Sequence, residues 1–138
     1  MKTSLRLSTL CTILCALFLF SCSHSDTPVD KIVGILDQAT QNTEKITNQY
    51  QLNDVGSIVS PQEIWNIINE YPDYELTKED KDKLKKSYHK LMDAAYKKSC
   101  EFVTSDELKN LVKKQVDIVM AGIDTNIDNA KTLIQIRP

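Results

Sequence analysis

From residue 27 onward, apolar residues recur at steps of three and four. Val29, Ile32, Leu36, Ala39, Thr43, Ile46 and Tyr50 make one such stripe. Leu84, Tyr88, Leu91, Ala95 and Phe102 make a second, with Lys98 on the same line. Val112, Val116, Val119, Ile123, Ile127, Ala130 and Ile134 make a third. That spacing gathers side chains on one face of a 3.6-residue helix. No segment alternates with period two over a useful length, so the pattern predicts an all-α chain.

Four helix starts are legible. Thr27-Pro28-Val29-Asp30 and Ser60-Pro61-Gln62-Glu63 each place a hydroxyl cap before a proline at the first helical position. Glu63 is spaced to close a capping box on Ser60. Thr77-Lys78-Glu79-Asp80 and Thr104-Ser105-Asp106-Glu107 repeat the signal. Val59 with Ile64, and Val103 with Leu108, stand at the positions of hydrophobic staples. The expected helices are 27–53, 60–71, 77–100 and 104–135. Together they predict an antiparallel bundle of three long helices with one short connecting helix, 60–71, laid across an end or groove. Gly34 and Gly122 fall inside helical patterns at a cost of about 1 kcal/mol each relative to Ala. They mark a close approach between helices or, at Gly122, a break.

The first 22 residues are of another kind. Lys2 and Arg6 make a basic start, and Leu10 to Phe20 carries no charge. Eleven helical residues reach only about 16 Å, too short for a hydrocarbon core of about 30 Å. This reads as an export leader and stays outside fold reasoning. Leu19-Phe20-Ser21-Cys22 closes it and resembles the lipobox of bacterial lipoproteins. The resemblance covers the leader and its cleavage site alone. It implies removal of residues 1–21, a diacylglycerol on the Cys22 thiol and acylation of the new amino group. Each buried methylene is worth about 0.8 kcal/mol, and two or more chains suffice for stable attachment. Ser23, not Asp, follows the cysteine, which by the same resemblance implies the outer membrane, facing the periplasm; no acidic run suggests surface export. Residues 22–26 then form an acylated cysteine and a short tether, and 27–138 the helical domain.

The chain has 138 residues and a formal charge of −2, which becomes −4 once Lys2 and Arg6 leave. That balance argues against a nucleic-acid partner and against attachment to anionic lipid by charge. Three glycines, and few aromatic residues beyond the leader, argue against a barrel or sandwich. Cys11 and Cys15 leave with the leader and Cys22 is acylated, so Cys100 stands alone and no internal disulfide forms. A buried or half-buried structural role is the favoured reading of Cys100.

Candidate chemistry is sparse. His89 shares a helix face with Asp93, without a nucleophile motif nearby. His24 lies in the tether, and two histidines do not make a zinc site. Asp124-Thr125-Asn126-Ile127-Asp128-Asn129 resembles the opening of a calcium loop, but Asn129, Lys131 and Gln135 depart from its later positions. Lys81, Lys83, Lys85, Lys86 and Lys90 form a basic run interleaved with Glu79, Asp80 and Asp82. The expected pairs are Glu79–Lys83 and Asp82–Lys86. Trp65, Tyr71 and Tyr74 cluster around Pro72 and are the candidate partner-binding residues, since such rings are enriched at recognition sites. They serve equally as packing at a bundle end. No catalytic residue, cofactor or metal is expected. The expected role is a non-enzymatic interaction or structural module of the cell envelope, held to the membrane through Cys22. The alternative is a ligand-binding module for a glycan, an apolar molecule or weakly held calcium. In this the chain resembles small helical envelope lipoproteins of unassigned role.

Overall fold

The computed structural model describes residues 26–53 and 58–136. The leader, Cys22 and most of the tether lie outside these residues. The described chain is all-helical. Its elements are α1 (Pro28–Glu44), α2 (Gln49–Asn53), α3 (Pro61–Glu70), α4 (Lys78–Phe102) and α5 (Asp106–Asn129), followed by a 3₁₀ turn at Leu133–Ile136.

The helix directions follow from cross-helix contacts. Lys83 reaches Asp30, and Ser87 and Lys90 reach Asp37, so α1 and α4 run parallel. Lys85 meets Asp128, His89 meets Asp124 and Lys113 lies over the Tyr96 ring, so α4 and α5 run antiparallel. Lys31 near the start of α1 stacks on Tyr71 just past the end of α3, which sets α3 antiparallel to α1. The short helix therefore brings the chain back along α1, and each main helix reverses the one before it. α4 is central, with α1 on one flank and α5 on the other.

The core combines Val29, Ile32, Leu36 and Ala39 of α1, Ile68 of α3, Leu84 and Leu91 of α4, Ile127 of α5 and Leu133 of the 3₁₀ turn. Val59, Ile64, Tyr71, Tyr74 and Tyr88 pack against it, half-buried. Val59 and Ile64 thus meet the same core, as a staple requires.

Two of the caps are complete boxes. Asp30 N–H donates to Thr27 Oγ1 at 3.1 Å, and Thr27 N–H donates back to Asp30 Oδ2 at 3.2 Å. Thr77 and Asp80 repeat this at 3.1 and 2.9 Å. Ser60 caps α3 without a side-chain hydrogen bond, so the expected box with Glu63 does not form. Its backbone dihedrals (φ −93°, ψ 88°) lie away from the extended values of Thr27 and Thr77. At α5 the cap is Ser105, one residue later than the expected helix start.

Both long terminal helices are shorter than expected. The 27–53 segment breaks after Glu44 and restarts at Gln49. Asn48 Oδ1 accepts from Gln51 N–H at 3.1 Å, and Gln51 Oε1 accepts from Thr47 N–H at 3.0 Å. These local bonds give the backbone an alternative to the helical ladder. Tyr50, expected on the apolar stripe, is consequently 87% exposed. The 104–135 segment ends at Asn129 because residues 131–134 are taken by the 72–76 loop. Leu76 N–H donates to Lys131 O and Leu133 N–H to Tyr74 O, both at 2.9 Å, around a bridge between Glu75 and Thr132. Gly122 does not break α5. At neither Gly34 nor Gly122 would an added Cβ meet an atom within 4 Å, so neither marks a close approach among the described residues.

Candidate interaction surface

The basic run of α4 is mostly spent within the fold. Lys83 joins Asp30 at 3.3 Å and Glu79 at 3.2 Å, and Lys85 joins Asp128 at 2.7 Å. Lys81 donates to the Asp128 carbonyl at 2.8 Å. Asp82 lies 3.8 Å from Lys85, in place of the expected Lys86. Hydrogen bonds donated to Glu79 and Asp30 hold the Lys83 ammonium above its ordinary pKa, and one donated to Asp128 does the same for Lys85. The run is thus a set of struts from α4 to both flanking helices, only partly a solvated face.

His89 pairs across helices, not along its own. Its Nε2 meets Asp124 Oδ1 of α5 at 2.8 Å, not Asp93. Asp124 and Asp128 stand on a continuous helix and turn toward α4, while exposed Asn126 falls on the other side. The calcium-loop resemblance therefore lies on a helix whose carboxylates pair with His89 and Lys85. Cys100 is half-buried, and its thiol beside Tyr96 is the main cause of a phenol pKa above the ordinary value.

The aromatic candidates sit at the base of the bundle. Tyr71 and Tyr74 are half-buried against the core. Lys31 lies 5.2 Å from the Tyr71 ring centre. Tyr74 donates to Asp80 Oδ2 at 3.4 Å; burial, then the Asp80 charge, push its pKa upward. Trp65 is half-buried on α3. Between α1 and α3 runs an open groove of about 520 Å³, with Gly34, Ile35, Ile58, Val59 and Ile67 along its walls.

Apart from Tyr50, the large exposed apolar side chains among the described residues lie elsewhere, on α5. Leu108, Leu111, Ile118 and Val119 are 52, 51, 64 and 45% exposed. Their face adjoins the one that buries Val116 and Ile127 against the rest of the fold. Single exposed apolar residues are ordinary; four along one helix form a patch of the kind that marks an interaction site. The expected stripe through Val112, Val116, Val119, Ile123 and Ile127 captured only the packing face, and Val119 sits at its edge. The second register, Leu108, Leu111, Ile118, was present in the same residues.

Among the described residues no group of three or more His, Cys, Asp or Glu is placed to hold a metal ion, and no helix is long and apolar enough to cross a membrane. Comparison with family models, curated proteins and solved structures yields no match.

Proposed function

We propose that the protein is a lipid-anchored, non-enzymatic interaction module of the cell envelope. The observation that carries the interaction role is the exposed stripe Leu108–Leu111–Ile118–Val119 on a helix braced by α4. An interface of this kind presents apolar side chains from a rigid element and needs no catalytic constellation. The Leu19-Phe20-Ser21-Cys22 sequence supplies the anchoring side of the reading. Acyl chains on Cys22 would place α1, and with it the base of the bundle, within a few residues of the bilayer.

Two measurements test the two sides separately. The full precursor and a Cys22→Ser version are expressed in a bacterial envelope and partitioned in Triton X-114. The parent is expected in the detergent-rich phase and the variant in the aqueous phase; a parent found in the aqueous phase defeats the anchor. Native capture of the parent and of Ile118→Asp tests the surface, with bound partner expected only for the parent. A ligand-binding role is the second reading, favoured by the open α1–α3 groove, where Ile35, Ile58, Val59 and Ile67 stand beside polar Lys31, Gln38, Asn42 and Glu63, a mixed lining that suits a small amphipathic molecule.

A further inference from the structure

We infer that the exposed face of α5 is a parallel, two-fold contact between two copies of this chain on one membrane. The inference builds on the proposed anchor for its orientation. Leu108, Leu111, Gln115, Ile118 and Gly122 follow one another at steps of three, four, three and four, the spacing of a two-heptad seam. Gln115 and Gly122 are exposed like the apolar members, so the seam faces outward along its whole length. It is separate from the face through which α5 joins its own fold.

Three features select a second copy as the occupant. Gln115 stands at the middle of an otherwise apolar seam. A carboxamide carries donors and an acceptor, so two copies related by a two-fold axis satisfy each other there, as a single polar core position does in parallel coiled coils. Gly122 has open space around its missing Cβ and no positive φ, so nothing among the described residues accounts for a glycine there. A second helix crossing at that end does, since glycine lets two backbones approach. The flanking positions are also compatible. In the parallel arrangement Lys114 runs beside the partner's Val119, and Glu107 beside the partner's Val112. Each charged stem then covers an apolar neighbour, with its head in water. In the antiparallel arrangement the two Lys114 side chains meet along one edge.

Anchoring points the same way. Two chains moored in one leaflet are related by a two-fold axis along the membrane normal, and with α5 standing upright over the anchored base that axis makes α5 parallel to its mate. The seam from Leu108 to Gly122 is about 21 Å long at 1.5 Å per residue. That is short against the roughly 1,200–2,000 Å² of a stable soluble interface. Confinement to a membrane raises the effective concentration of one copy for the other. The contact is therefore expected to form on the membrane and to be weak for the body in free solution.

The experiment is site-directed disulfide formation in the full-length protein in native membranes, on a Cys100→Ser background. Gln115→Cys is expected to give a disulfide-linked dimer, and the background alone to give none. Adding Ile118→Asp to Gln115→Cys is expected to cut the dimer at least tenfold, with the helical circular-dichroism signal unchanged. The inference is overturned by absence of the Gln115→Cys dimer in protein that enters Triton X-114. It is equally overturned by cross-linking only between Leu108→Cys and Gly122→Cys chains, or by a product containing a different polypeptide. Failure to enter the detergent phase, by contrast, defeats the anchor; the dimer then stands or falls on the Gln115→Cys band alone.

Discussion

The lower part of the bundle and its upper hairpin are built from the same helices but packed to different standards. At the base, α1, α3, α4, the end of α5 and the 3₁₀ turn surround Val29, Leu36, Leu84, Ile127 and Leu133, which are fully buried. At the top, α4 has no buried residue beyond Ala94, and α5 has none before Val116. The difference is geometric. A side chain is sealed from water only when neighbours close on it from several sides, and a helix pair leaves each helix an open flank. Stability is thus concentrated at the end nearest the proposed anchor. The apolar stripe is carried by the end with least packing of its own, where interaction surfaces are commonly found.

The sharpest way to break that comparison is to empty the base. Leu84 is fully buried between α4 and the rest of the core. Leu84→Ala is expected to cost about 2–5 kcal/mol, the sum of lost transfer energy and the remaining cavity. Urea unfolding followed by circular dichroism reads this directly. A cost under about 1 kcal/mol would mean that the base is no better packed than the hairpin.

The caps come next. Thr27→Ala and Thr77→Ala each remove a complete box and are expected to cost about 1 kcal/mol. Ser60→Ala removes a cap without a side-chain hydrogen bond and is expected to cost much less. Equal losses at all three positions in thermal melts would contradict the assigned geometry. The Thr27 box also sets an acid limb. The Thr27 hydroxyl, donating to Asp30 at 2.8 Å, is the main cause of a carboxyl pKa below its usual 3.8, and Lys83 adds to it. A depressed folded-state pKa contributes stability above the unfolded value and loses it as pH falls through the folded one. Stability is therefore expected to decline below about pH 4, and less steeply in Asp30→Asn. At the other end, burial raises the Tyr88 phenol above 10. A raised folded-state value makes stability fall as pH climbs past the unfolded pKa. Tyr88→Phe is expected to flatten that alkaline limb in pH-dependent unfolding.

Smaller and opposite in sign is the effect of Gly122→Ala. The position is helical, has no positive φ, and an added methyl meets nothing within 4 Å. Helix propensity then favours Ala, and a gain of about 0.4–1 kcal/mol is expected for the isolated fold. Gly34→Ala is expected to match it. If the α5 seam pairs two copies, the two substitutions part company in membranes. Gly122→Ala then weakens the Gln115→Cys cross-link, and Gly34→Ala leaves it intact.

These contrasts follow what local sequence signals can carry. The helical class, the Thr27 and Thr77 starts and the stripe from Val29 to Ile46 were legible because each depends on residues within a few positions. The breaks at Lys45 and Asn129 were not. The first turns on Asn48 and Gln51 competing with an otherwise continuous ladder. The second turns on a loop more than fifty residues earlier capturing residues 131–134. Ion-pair partners show the same division. Glu79–Lys83 was visible as an i,i+4 pair, whereas Asp30, Asp37, Asp124 and Asp128 meet α4 only through the tertiary arrangement. The apolar surface was hidden for a different reason. α5 carries two adjoining apolar faces, and a single-stripe reading selects the one that the fold itself uses.

The finest test of the comparison is therefore a substitution expected to do almost nothing to the isolated fold. Ile118 is 64% exposed, and Ile and Ser differ little in helix propensity. Ile118→Ser withdraws little area from the core and leaves no buried group unpaired, so the fold is expected to stay within about 0.5 kcal/mol of the parent. The measurement is the urea midpoint in dilute detergent, with the slope checked for change, because an altered slope would point to a different compactness. A loss above about 2 kcal/mol would show that the α5 stripe is covered by its own chain. The contrast between a packed base and an open hairpin would then fail, and with it the surface on which the proposed contact depends.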